Sequence, residues 1–377
     1  MKVTQRQLAV PGQTVSEGKI SLEESFHENL PAPHPMARRS FLRSLGVGAA
    51  LLAPGAGLMS GLGNARAAAL GSAGATTGDI DIMRFLAAAE LLEADLWQQY
   101  TELALGNDTY KEALQAIDDD FPQYINDNTD DEISHAAFLN AYIASVGGES
   151  VNLDAFRTLP SSRATGAQQI GRLTNLFRLT VDTSWYIRYR SPENPDFGAA
   201  IPQLIEIVNR PAIPVRDLPA GAQLQSIADT AAFHFAMIEQ GGSSLYDAMA
   251  VKASDLTVLR IVTSIGGTEV YHFAIWMDGA GKVVPVTFHG LEFPDIGVVF
   301  EGDPLREKDL IMPEPCTFID PSLPLCSVIR PTSLRMAGAQ AAVTGLTNSG
   351  LFQGQSAEFF QTLHDLAHAA DAAVRQL

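Results

Sequence analysis

Two stretches of the chain place a glutamate three residues before a histidine in otherwise apolar surroundings. "DDEISHAAF" at 130–138 carries Glu132 and His135, and "GTEVYHFAI" at 267–275 carries Glu269 and His272. Residues three apart in an α-helix lie about 60° apart around the axis and about 4.5 Å along it, so such a pair can reach one metal ion. Alone the spacing means little. With eight His and 19 Glu in 377 residues, chance supplies about 0.4 such pairs, and Glu24 with His27 near the N-terminus is one.

Context sets the other two apart. Each is preceded by a helix-like segment in which a glutamate is followed seven residues later by an aromatic: Glu90 with Trp97 in "ELLEADLW", and Glu239 with Tyr246 in "EQGGSSLY". Leu96 and Leu245 also match. The chain thus repeats one design, Glu then Glu-x-x-His, twice. Glu93 with Tyr100 offers a second register for the first helix, so Glu93 is an alternative to Glu90. The two glycines after Glu239 are poor helix chemistry and permit close helix contact or a kink. A plainer reading of the first pair also stands: Glu132 closing a capping box with Thr129, and His135 an ordinary buried imidazole.

The order Glu, Glu-x-x-His, Glu, Glu-x-x-His resembles the ferritin-like superfamily of dimetal carboxylate four-helix bundles. "AAAELLEADLW" and "DDEISHAAFL" further resemble its desiccation-related group. The resemblance implies that Glu132 and Glu269 bridge two metal ions, that His135 and His272 are terminal ligands, and that Glu90 and Glu239 are the outer carboxylates. Oxygen and nitrogen ligation of this kind suits two Fe or Mn ions. The implied activity is that of a dimetal oxidoreductase using oxygen or peroxide, ferroxidase-like or catalase-like. The competing class is a non-catalytic metal-binding or stress-protection protein whose site staples the bundle.

These residues must be carried by helices, and the periodicity supplies them. Apolar positions at helical spacing run from 79 to about 105, with Asp79 or Asp81 as cap and Gly106 as stop. Further helices are expected at about 110–118, 129–146, 223–251 and 253–277. Residues 149–222 are punctuated by Pro and Gly and read as long connections carrying short helices. From 280 onward short strands and a Pro-rich loop precede a final helix at 355–377. The fold class is therefore mainly α, and the resemblance implies a ferritin-like four-helix bundle at 79–278 with an insert at 149–222 and a C-terminal appendage at 279–377.

Residues 1–67 stand apart. Arg38 and Arg39, then Phe41, Leu42 and Arg43 before a weakly apolar Gly/Ala/Leu run, resemble a twin-arginine export signal with cleavage after Ala67, followed by a linker at 68–78. That implies an exported, periplasmic protein without stable membrane insertion, and an oxidising compartment in which Cys316 and Cys326 could pair. A net charge of −18 disfavours nucleic acid as a partner. A monomer or dimer is expected. His364 with His368, and the acidic run 118–120, read as solvated surface; His234 and His289 read as packed against aromatics.

Overall fold

The computed structural model describes residues 74–187, 202–301, 320, 322–324, 326 and 337–376. Residues 1–67, read from the sequence as an export signal, and Cys316 lie outside the described residues. The described part is mainly helical, a bundle of four long helices bearing short strands and a C-terminal helical appendage.

Helix α1 spans Thr77–Gly106, the short α2 Asp108–Gln115 and α3 Phe121–Ser145. Helix α5, Ala222–Ala250, and α6, Leu256–Ala280, form the second long pair. α1 packs along α3 and α5 along α6. The five residues between α5 and α6 force an antiparallel hairpin, whereas α3 and α5 are joined by a crossover of more than 70 residues. One such crossover is the connectivity that lets two helix pairs face each other in one bundle.

The helix ends follow local chemistry. Thr76, not Asp79 or Asp81, caps α1: its hydroxyl accepts from Asp79 N at 3.1 Å while Asp79 Oδ2 accepts from Thr76 N at 2.9 Å, a reciprocal capping box. Asp79 is buried because it also accepts from the amides of Ser254 and Asp255, tying the start of α1 to the α5–α6 turn. Asp255 then caps α6 through Thr257 N and Val258 N. Helix α3 begins eight residues earlier than expected. Pro122 sits in its first turn, where a missing N–H costs nothing, and Phe121, Ile125 and Asn128 extend the buried stripe backward. Thr129 is consequently mid-helix, its hydroxyl bonded to Ile125 O at 2.7 Å, and makes no capping box with Glu132.

The insert is mostly irregular, with a 3₁₀ turn at Asp154–Phe156 and a short helix, α4, at Ser184–Ile187. It also contains a two-stranded antiparallel ribbon that periodicity did not indicate, β1 Leu179–Val181 with β2 Ile207–Arg210. Its anchor is Asp95, buried on α1, which accepts from Leu173 N, Thr174 N, the Thr174 hydroxyl, Gln99 Nε2 and Arg157. Beyond α6 come the hairpin β3 Val286–Phe288 and β4 Leu291–Phe293, a one-turn helix α7 at Ile296–Val299, then α8 Ala339–Asn348 and α9 Ala357–Ala372. His289 is exposed at the hairpin turn with φ 47°, followed by Gly290 at φ 77°; its ring rests on Phe288, so it is only partly the packed residue expected. His234 is fully buried and shares a 2.8 Å hydrogen bond with the Tyr100 hydroxyl. His364 and His368 are exposed, as expected. Helix α8 was not foreseen, and α9 is shorter than the final helix expected.

The core lies between the helix pairs. Trp97 stacks on Trp276 at 5.2 Å and on Phe235 at 4.9 Å, with Tyr100 edge-on to Phe235. Fully burying such side chains is worth about 1.5–3 kcal/mol each, and here they wall one end of a polar chamber. No helix among the described residues is long and apolar enough to cross a membrane.

Candidate metal centre

Each of the four long helices sends acid or imidazole into that chamber. α1 contributes Glu90, α3 Glu132 and His135, α5 Glu239, α6 Glu269 and His272, all buried. Their donor atoms form two overlapping groups, each within 4.8 Å: Glu90, Glu132, His135 and Glu269 in one, and Glu132, Glu239, Glu269 and His272 in the other. Glu132 and Glu269 belong to both. The helical spacing explains why: each Glu-x-x-His turns acid and imidazole to the same side, and the facing helix pair supplies the mirror set.

The contacts are close. His135 Nδ1 lies 3.1 Å from Glu132 Oε2 and 3.4 Å from both Glu90 Oε2 and Glu269 Oε1. His272 Nδ1 lies 3.1 Å from Glu132 Oε1 and 3.3 Å from Glu239 Oε2. The two oxygens of Glu132 thus face different histidines. Yet Glu90 Oε2, Glu239 Oε2, both oxygens of Glu269 and His272 Nδ1 make no hydrogen bond of acceptable geometry. Buried polar atoms are otherwise almost always satisfied, and here five orphans converge on one space.

Electrostatics carry the same signature. Burial, reinforced by the charges of Glu90 and Glu239, raises Glu132 to about 7. Burial and the surrounding glutamates hold Glu269 well above the usual carboxylate range. Burial alone would lower His135, but its bond to Glu132 and the nearby carboxylate of Glu90 raise it to about 10. His272 is likewise raised against the opposing effect of burial, first by the charge of Glu239. For Glu90, burial is outweighed by the close approach and charge of His135, so its carboxyl is lowered. Without another cation, protons on the imidazoles offset the carboxylates.

Several neighbours complete the chamber. Asn128, one turn before Glu132, donates to Glu132 Oε1 at 2.7 Å and to Glu239 Oε1 at 3.0 Å, while its carbonyl accepts from Trp276 Nε1 at 2.7 Å. Asp131 Oδ2 sits 3.2 Å from His272 Nε2, the ring nitrogen facing away from the chamber. Such a contact fixes the tautomer and ring orientation of a ligating histidine. Tyr246 donates to Glu90 Oε1. Trp97, its counterpart in the repeat, makes no hydrogen bond through Nε1 and stacks on Trp276 instead. The repeat is therefore symmetric in its acids and histidines and asymmetric around them.

The geometry places Glu90 inside the donor group and Glu93 outside both. Glu93, raised well above the carboxylate range by burial and then by Glu90, Glu132 and Glu239, lines a cavity behind the chamber. Gly242 explains the unhelical "EQGGSS": a Cβ there would stand 2.5 Å from Glu269 Oε2. Asn128, Asp131 and Gly242 were not assigned to the site from the sequence. Asn128 at i−4 and Asp131 at i−1 from Glu132 are the signals that could have found the first two.

Over residues 78–282, just over half of the chain, the sequence matches the ferritin-like domain family, and the protein belongs to it. No curated protein and no solved structure matches the chain.

Proposed function

We propose that the chamber holds two divalent ions, iron or manganese, and that the protein carries out redox chemistry there with oxygen or peroxide. The observation that carries this reading is the pair of overlapping donor groups sharing Glu132 and Glu269. Glu132 and Glu269, common to both groups, would hold both ions, Glu90 with His135 would complete one site, and Glu239 with His272 the other. The orphaned oxygens support it, because several buried carboxylates without enough counter-charge cost several kcal/mol each. Four carboxylates and two neutral imidazoles roughly neutralise two divalent ions and allow them to cycle to the trivalent state. When bound, the ions supply the electrons that oxygen or peroxide accepts.

The chain's own residues do the rest. Asp131 holds the outer nitrogen of His272 and leaves Nδ1 aimed inward. Asn128 keeps Glu132 and Glu239 at a fixed separation. Tyr246 donates a hydrogen bond to Glu90 Oε1 and takes that oxygen out of competition. The aromatic wall of Trp97, Trp276 and Phe235 excludes water. The twin-arginine reading of residues 1–67 belongs to the proposal and rests on the sequence alone.

Elemental analysis of purified protein from metal-replete cells should give about two Fe or Mn per chain, and Glu132→Gln or Glu269→Gln should abolish loading. Absence of metal in the wild-type protein would overturn the proposal. Oxygen- or peroxide-dependent oxidation of the loaded protein tests the redox part; inertness with metal bound would assign the ions a structural role.

A further inference from the structure

Behind the chamber lies a second space that the ferritin-like domain does not enclose by itself. It is a cavity of about 30 Å³ between α1, α5 and the C-terminal helices, walled by Leu92, Leu245, Val343, Phe352 and others, with Glu93 its one ionisable lining residue. Helices α8 and α9 lie beyond residue 282, outside the matched family domain. They are firmly latched to the bundle. Asp371 accepts from Ala339 N at 3.0 Å and Gln340 N at 2.9 Å and meets Lys252 Nζ at 3.3 Å. Ser349 O and Leu351 O accept from Thr180 N and Asn175 N.

The cavity shares a wall with the candidate metal centre. Gly242 lines it and at the same time lies against Glu269 Oε2, with no side chain between. Glu93 lines it three residues along α1 from Glu90. A water-sized sphere needs roughly 10–15 Å³, so the space suits a molecule of two heavy atoms. Its lining is otherwise aliphatic or aromatic, and apolar cavities stay dry while taking up apolar, polarisable guests through dispersion. A peroxide, with two hydroxyls to satisfy, is poorly matched to such a lining.

We infer that this cavity is a holding site for dioxygen, closed by the C-terminal helices and opening onto the metal chamber past Gly242 and Glu93. The inference deepens the redox reading and rests on it for the use of the gas: it selects dioxygen over peroxide as the molecule delivered. The appendage thereby forms the back wall of the site.

Two measurements separate the cavity from its use. Xenon, a probe of apolar cavities, should give a bound site bordered by Leu92, Leu245 and Phe352 in crystals of the full chain under pressure, whether or not metal is loaded. Ala342→Phe, which projects a ring into the space from α8, should abolish the xenon site. Val343→Ala should enlarge the space and strengthen the site, which keeps the test decisive if the larger residue prevents folding. No xenon in the wild-type cavity would overturn the inference. In protein loaded with ferrous iron, Ala342→Phe should slow oxidation by dioxygen several-fold while leaving oxidation by hydrogen peroxide unchanged; equal effects on both would also overturn it. Failure of the protein to bind either iron or manganese would refute the proposed function and leave the xenon result to judge the cavity.

Discussion

Gly242→Ala separates metal loading from folding at a single methyl group. The added Cβ would stand 2.5 Å from Glu269 Oε2, whereas ordinary contacts begin near 3.4 Å, so about 0.9 Å must be found by moving the carboxylate or spreading α5 from α6. Glu269 is fully buried, and its carboxylate belongs to both donor groups. Metal ligands tolerate only about ±0.2 Å. A displacement four times that size should weaken loading by roughly 10–100-fold, the range seen when residues supporting a metal site are altered. The fold should respond in the opposite direction, since Ala in a helix interior is favoured over Gly by about 0.5–1 kcal/mol. The assay pairs metal content after chelator competition with thermal unfolding of the metal-free protein. Wild-type loading in a folded Gly242→Ala protein would refute the claim that this glycine exists to admit Glu269. Reduced loading together with collapse of the metal-free fold would show instead that Gly242 is needed for packing alone.

Three further outcomes follow from the same structure. Asp131→Asn removes the charge facing His272 Nε2 at 3.2 Å; loading should weaken by about tenfold or more with unfolding of the metal-free protein little changed, because Asp131 is half exposed, and unchanged affinity would deny it an orienting role. In the metal-free protein His135 is raised to about 10 and His272 is raised as well, so both carry protons at neutral pH. Loading with Mn²⁺ in weak buffer should therefore release at least about two protons per chain, those of the imidazoles together with those held by Glu269 and in part by Glu132, read with a pH indicator, and absence of release would contradict protonated imidazoles. Asp229, buried between Gln225 and Val284 N, is raised by burial to about 7 from 3.8. Its folded state binds the proton more tightly than the unfolded chain, so stability falls as pH rises from about 4 to about 7, by up to about 4 kcal/mol. Asp229→Asn should flatten that slope in denaturant titrations, and a slope matching wild type would sink the assignment.

The acids and histidines were legible because helical periodicity is a local property: three-residue spacing puts Glu132 with His135 and Glu269 with His272 on common faces wherever those helices go. The repeat then paired them with Glu90 and Glu239. The choice of Glu90 over Glu93 was not local, since the two lie less than one turn apart and only the position of the facing helices decides which enters the chamber. The start of α3 was misplaced for a related reason: the polar residues around Pro122 hide a buried stripe that exists only because α1, α5 and α6 cover it.

What surrounds the site needed tertiary structure altogether. Asp131 meets a histidine 141 residues away and Tyr246 a glutamate 156 residues away, and nothing in their local spacing announces either. Gly242 reads in sequence as a weak helix position and becomes meaningful only against Glu269. Helix α8, short and rich in Ala, Gly and Thr, has little intrinsic tendency to stand alone and is held by Asp371 and the bundle surface. The sequence by itself determined which side chains could share metal ions, because that depends on a helical repeat a few residues long. The tertiary structure decided which ones converge, what orients them and what closes the space behind them, because those depend on contacts whose cost in chain entropy is met only by the packed core.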